Sequence, residues 1–277
     1  MEKTKIFNVI ILDKSGSMSS IRQAAIDGVN ETISGITISQ KEHEDTQQHY
    51  ILLNAFCSHG IDTIYNNVKI DEAKNMEEVD YRPCCSTPLY DTIGITLSKL
   101  EERLEEVEDY MVFVTVITDG YENASVKYSG ADIKNLIERL KEKGWSFSYL
   151  GSDHDVEKVA GDLSFDRFQS FQHTGEDTKR AFRERNMERW VEARALDEVL
   201  LMERSEGKKF SNKERLLHIS KKLNEMEGKD TIDRKTPPFN TPSDLLDEKS
   251  TEQEKTEEKT AQPSKEKKGI FRRLFSK

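Results

Sequence analysis

Two runs of the chain, Ile6-Phe7-Asn8-Val9-Ile10-Ile11-Leu12 and Tyr110-Met111-Val112-Phe113-Val114-Thr115-Val116-Ile117-Thr118, are apolar almost throughout. Neither alternates as a strand with one wet face does, so each needs cover on both sides. Both are followed at once by a carboxylate and small polar residues, Asp13-Lys14-Ser15-Gly16-Ser17 and Asp119-Gly120. A strand buried on both faces belongs to a mainly parallel sheet flanked by helices, and the rest of the chain supplies those helices.

Ile21–Ile38 reads as a helix, with Ile21, Ala25, Gly28, Val29, Thr32, Ile33 and Ile36 at helical spacing. Tyr50–Cys57 and Ile61–Asn67 read as strands joined through Ser58-His59-Gly60 in a hairpin-like connection. Thr87–Leu104 is a predicted helix, carrying Leu89, Ile93, Leu97, Leu100 and Leu104 on one face. Further on come a helix from Ala131 to Lys143, a strand Trp145–Leu150, a short helix Val156–Leu163 and a weaker edge strand Phe165–Phe171. Beyond Thr174 the pattern is helical only: one long helix over residues 176–203, whose first turns cover the sheet, then a second opened by the capping box Ser211-Asn212-Lys213-Glu214 and stopped at Gly228.

Residues 228–268 are almost wholly Lys, Glu, Asp, Thr, Ser and Pro, a composition that predicts no packed structure. The last segment, Lys265–Lys277, has six basic residues and one acidic, with Ile270, Phe271, Leu274 and Phe275 on one face if helical. It reads either as a docking element, for a membrane surface or a partner's groove, or as a disordered basic tail. The chain as a whole carries a net charge of −10, which disfavours nonspecific nucleic-acid binding by its body. Three cysteines make no disulfide framework, and neither a signal peptide nor a long apolar span is visible, so a cytoplasmic protein is expected.

Function concentrates at three loops. Asp13-x-Ser15-x-Ser17 sets one carboxylate and two hydroxyls in a single turn after a buried strand. Ser86-Thr87-Pro88-Leu89 opens a helix, and Thr118-Asp119-Gly120 ends the second apolar strand. Hard oxygens of this kind suit magnesium, manganese or calcium rather than soft metals. In open parallel sheets ligands gather at the carboxyl ends of the strands, near the reversal of strand order, which is where the Asp13 and Asp119 turns are expected.

In order and spacing, Asp13-x-Ser15-x-Ser17, Thr87 and Asp119-Gly120 resemble the metal-ion-dependent adhesion site of von Willebrand factor type A domains. Thr118–Ser125 and Gly144–Gly151 resemble a bacterial intracellular branch of that family, some of whose members sit in stress or tellurite-resistance gene neighbourhoods. The resemblance covers residues 5–190 and implies a Rossmann-like, doubly wound α/β fold, a mostly parallel sheet with helices on both faces. Residues 191–228 would be a helical extension, 229–264 a charged disordered linker and 265–277 the basic terminal peptide. The implied cation is Mg2+ or Mn2+, ligated directly by Ser15 and Ser17, directly or through water by Thr87, and through water by Asp13 and Asp119. A partner's acidic side chain would complete its coordination. One departure is Pro83-Cys84-Cys85-Ser86, where relatives carry a glycine-containing loop; cysteines there predict a stiffer loop.

Other readings stay beside these. Cys84 and Cys85 are read as small buried residues, with redox chemistry or soft-metal binding as the alternative. Asp91 is expected to favour the dipole of its helix rather than ligate, and Glu122 and Asn123 to lie on the rim. Asp153-His154-Asp155 is read as a solvated loop, and the six histidines show no zinc spacing. The leading function is a non-enzymatic, metal-dependent protein-binding module. The alternatives are a magnesium-dependent phosphohydrolase with Asp13 as nucleophile, and an adaptor that binds through its C-terminal helices.

Overall fold

Six strands, β1 (Thr4–Asp13), β2 (Gln47–Cys57), β3 (Gly60–Lys69), β4 (Tyr110–Thr118), β5 (Trp145–Ser152) and β6 (Arg167–Phe171), form one sheet in the order β3-β2-β1-β4-β5-β6. β3 runs antiparallel to β2 and every other pair is parallel. The structure is a computed structural model describing residues 2–152 and 155–227, all within the unit Met1–Arg234. The expectations for Asp153-His154, the charged linker and the basic terminal peptide lie outside the described residues.

Alternation along β1 explains how both faces are covered. Phe7, Val9 and Ile11 pack with Leu89, Ile93 and Leu97 of α2 (Leu89–Leu104), and with α3 (Gly130–Glu142) and α4 (Val156–Asp162). Ile10 and Leu12 point the other way, to α1 (Arg22–Glu42) and to Ala181 and Phe182 of α5 (Gly175–Glu206). Lower on that face Ile6, Met111 and Phe113 meet Val191, Leu196 and Leu200 of α5 and Ile219 and Leu223 of α6 (Asn212–Glu227). A mostly parallel α/β sheet with helices on both sides is therefore what the two apolar runs build, and α5 continues unbroken past residue 190. Among the described residues no helix is long and apolar enough to cross a membrane.

Two differences from the sequence reading have clear causes. The first helix begins as a 3-10 turn over Gly16–Ile21, because the chain must leave Asp13 in a tight loop before α1 can start. The first turns of α5 cover the sheet as expected, but they do so with buried charge that the periodicity does not show: Arg185, Arg189 and Glu192 are buried. Arg189 Nη2 donates to Thr115 Oγ1 of β4 at 2.8 Å, and Glu192 accepts from Arg185 at 3.0 Å and Arg167 at 2.5 Å. Burial opposes the charge on Glu192, but Arg185 and Arg167 hold its carboxyl below the usual range. α1 and α5 approach so closely at Gly28 that an added Cβ would lie 2.3 Å from the Phe182 ring.

His49 on β2 is buried between Asn8, whose amide nitrogen lies 3.3 Å from Nδ1, and Gln47, whose Oε1 lies 3.0 Å from Nε2. The Asn8 amide can only donate, so the ring is neutral with its proton on Nε2. Burial, with His43 adding to it, pushes His49 down from 6.5 to about 3. The unfolded chain takes up this proton as pH falls below 6.5 and the folded chain does not, so folding stability drops with acid. The slope from this one residue is at most about 1.4 kcal/mol per pH unit. Urea unfolding of His49→Gln from pH 6.5 down to about 4 is expected to give a shallower acid slope than the wild type. Equal slopes would count against this assignment.

Candidate metal centre

β1 and β4 are neighbours at the point where strand order reverses, and their carboxyl ends carry the first and third predicted loops. Asp13, the last residue of β1, is fully buried. Its Oδ1 accepts from the Ser15 backbone N–H at 2.7 Å and its Oδ2 from Thr118 Oγ1 at 2.6 Å. The first bond folds Asp-x-Ser into a turn, and the second ties that turn to the end of β4. Ser15 Oγ lies 3.1 Å from Ser17 Oγ, and Ser17 Oγ donates to Asp119 Oδ1 at 2.7 Å. Asp13, Ser15, Ser17 and Asp119 therefore form one connected group.

Thr87 is buried on the loop before α2 and is bonded to Asn123, four residues beyond Asp119 on the loop that leaves β4. Its backbone N–H donates to Asn123 Oδ1 at 2.8 Å, while the Asn123 N–H donates back to the Thr87 carbonyl at 3.1 Å. Glu122 accepts from the Tyr90 N–H in the first turn of α2 and from the N–H groups of Ala124 and Ser125. Asp91 accepts three backbone N–H groups, from Val126, Lys127 and Tyr128. Burial works against charge on Asp91, but these bonds hold its carboxyl below the usual range. Asn123 is exposed and Glu122 half-buried, and both also brace the Thr87 loop, while Asp91 organises a loop as well as facing a helix end.

The donor set suits a small hard cation. Oxygens about 2.0–2.1 Å from such an ion stand about 3 Å apart along an octahedral edge, close to the 3.1 Å between the two serine hydroxyls. Burial, with Asp119 contributing, pushes the Asp13 carboxyl up to about 6 despite its bonds to Thr118 and Ser15. Two carboxylates in a dry place repel, and a nearby divalent charge relieves them.

His173, just ahead of α5, escaped the sequence reading. Its Nδ1 lies 3.4 Å from Asp119 Oδ2 and its Nε2 2.5 Å from Ser20 Oγ. No local pattern marks it, since only the tertiary fold brings the start of α5 over the serine turn.

Identifiable bonds hold the Pro83–Ser86 loop. Cys84 N–H donates to Lys14 O at 2.8 Å, and Gly16 N–H donates to Cys85 O at 2.9 Å. Cys85 sits at φ +65°, the left-handed region that glycine occupies freely and a side chain resists. Packing is not what these residues do: Cys84 is half-buried and Cys85 exposed. A hydrogen bond with Cys57 and partial burial push the Cys84 thiol up to about 11.

No protein-family model matches the chain, and no curated protein matches it. Among solved structures it is similar to a von Willebrand factor type A protein from Catenulispora acidiphila, at 17% identity and TM-score 0.47, over 66% of this chain and 42% of that one. The match thus spans under half the length of that protein. It is also similar to the SpRpn10 VWA domain, at 9% identity and TM-score 0.45, over 65% of this chain and 95% of that one. A third is the manganese-loaded TRAP protein of Plasmodium vivax, at 15% identity and TM-score 0.42, over 67% of this chain and 73% of that one.

The strain at Cys85 gives a direct test. Cys85→Gly is expected to raise unfolding stability by up to about 1 kcal/mol, because glycine adopts the left-handed conformation without a Cβ clash. Cys85→Val should lower it. A chemical-denaturation series with the opposite order would show that φ at this position does not limit the loop.

Proposed function

We propose that the chain is a von Willebrand factor type A module that binds Mg2+ or Mn2+ at Asp13, Ser15, Ser17, Thr87 and Asp119, and grips an acidic residue of a protein partner without catalysing a reaction. The observation carrying this reading is the connected group at the sheet's carboxyl end, with two hydroxyls at an octahedral-edge separation beside two buried carboxylates. Ser15, Ser17 and Thr87 are uncharged ligands, and Asp13 and Asp119 act through coordinated water. The bound cation, left partly uncompensated by neutral oxygens, supplies an attractive position for a partner's carboxylate. Asn123 and Glu122 position the Thr87 loop against this group through the backbone bonds described above. The basic segment 265–277 serves to localise the complex in the cytoplasm, at an anionic membrane surface or in a partner's groove.

The phosphohydrolase reading is less well supported. Both Asp13 oxygens already accept short hydrogen bonds and the residue is fully buried, a poor setting for a nucleophile.

Ser15→Ala/Ser17→Ala is expected to weaken Mn2+ binding, followed by electron paramagnetic resonance, on the order of tenfold or more, which is ~1.4 kcal/mol per factor of ten. Proteins captured from native cytosol by the full chain in Mg2+ should disappear both in EDTA and with the double variant. Capture indifferent to both treatments would transfer the function to the helices and tail. Mg2+-dependent turnover of a phosphorylated compound, lost in Asp13→Ala, would replace this reading with the enzymatic one.

A further inference from the structure

Beside the oxygen group lies a second cluster of a different chemical kind. The hairpin between β2 and β3 is tight: Cys57 pairs directly with Gly60, so Ser58 and His59 alone form the turn. Gly60 at φ +133° permits that geometry. The Ser58 N–H donates to Ser86 O at 3.0 Å, and the Ser86 N–H donates to Ser58 Oγ at 3.3 Å. These two bonds hold the hairpin turn against the Cys84-Cys85 loop, and the side chains converge between them.

Cys57 Sγ lies 3.5 Å from Cys84 Sγ, and Cys84 Sγ lies 3.7 Å from His59 Nδ1. Cys85 Sγ approaches the same imidazole, 3.6 Å from Nδ1 and 3.4 Å from Nε2. One ligand atom each from Cys57, His59 and Cys84 fall within 4.8 Å of one another. A tetrahedral ion with Zn–S of about 2.3 Å and Zn–N of about 2.0–2.1 Å sets S···S edges near about 3.8 Å and S···N edges near about 3.6 Å. The Cys57–Cys84 and Cys84–His59 separations lie within a few tenths of an ångström of those edges. All three thiols are free, and the cluster runs from buried Cys57 to exposed His59 and Cys85, which leaves a route in from solvent.

We propose that Cys57, His59 and Cys84 form a binding site for one thiophilic divalent ion of the Zn2+ class, with Cys85 on the solvent side as the nearest further thiol. Two thiols and an imidazole select a borderline-soft ion, whereas the Asp13, Ser15, Ser17 and Asp119 oxygens select a hard one, so the two sites do not compete for one metal. Binding displaces the Cys57 and Cys84 thiol protons to solvent. Its structural effect is a staple, because the ion joins the β2–β3 turn to the loop that continues into Thr87 and is bonded to Lys14 and Gly16. This site stands on its own side chains and does not depend on the protein-gripping function.

The test is Co2+ titration of the full chain with thiols kept reduced by a phosphine, read by the sulfur-to-cobalt charge-transfer absorption in the near ultraviolet. One Co2+ per chain should produce this band, Zn2+ should abolish it and excess Mg2+ should leave it unchanged. Cys84→Ser and His59→Ala should lose or greatly weaken it, while Ser15→Ala/Ser17→Ala should retain it, which separates this site from the oxygen site. Folding of each variant is checked by circular dichroism. A second readout uses only the wild type: Zn2+ should slow maleimide modification of Cys84, located by mass spectrometry. Absence of the band in the reduced wild type, or a band that survives both Cys84→Ser and His59→Ala, would overturn the proposal. So would Cys84 modification at an unchanged rate in Zn2+.

Discussion

The Asp13 carboxylate is the interaction on which the top of the sheet depends. It sits at the end of the central strand with one oxygen on the Ser15 N–H and the other on the Thr118 hydroxyl. Burying a carboxylate is costly unless its charge is met, and these two bonds meet only part of it, which is why its pKa stays high. The same bonds fix the direction of both loops that leave β1 and β4. Ser15 and Ser17 follow from the first bond, and Asp119 follows one residue after the second. A single desolvated charge thereby helps fix the positions of three oxygen-bearing side chains, Ser15, Ser17 and Asp119, and its incomplete compensation would favour a cation there.

The surrounding acidic residues do a different job. Asp91 and Glu122 spend their carboxylates on backbone N–H groups of the 124–128 loop and of the first turn of α2. The Tyr90, Ala124, Ser125 and Tyr128 donors are part-buried, where an unmet N–H costs up to about 1–3 kcal/mol, while those of Val126 and Lys127 are exposed to water. Asn123 adds a reciprocal pair of bonds with the Thr87 backbone. Acidic and amide side chains here build the rigid frame, and the residues with metal-ligand chemistry are carried on it.

Much of this was legible because it follows from periodicity. β4 runs from Tyr110 to Thr118, the bounds of the apolar run itself, and α3 differs from expectation by one residue at each end. Both elements bury a face whose pattern is strict. α5 was legible as a helix but not as a layer of charge against the sheet, since Arg167 of β6 meets Glu192, and Thr115 of β4 meets Arg189, only in the folded chain. At the candidate site the members next to strand ends could be read from strand-then-turn patterns. His173 could not, because its neighbours Asp119 and Ser20 lie far away in sequence. The sulfur cluster had a faint signal, Cys57-x-His59 followed by Cys84-Cys85, but only the hairpin register shows that the two pieces meet.

That the two clusters share one loop has a physical consequence. A loop that must present Thr87 needs either freedom to move, as glycines give, or a fixed position held by bonds. Here the backbone of Cys84 and Cys85 is bonded to the serine turn while their side chains face the β2–β3 hairpin. The strain at Cys85 is of order one kcal/mol, small beside the hydrogen bonds of Lys14, Gly16, Ser58 and Ser86 that surround it. The balance favours one fixed arrangement. An ion bound by Cys57, His59 and Cys84 would deepen the same minimum, so that thiol chemistry at the hairpin would bear directly on the geometry of the proposed hard-metal site.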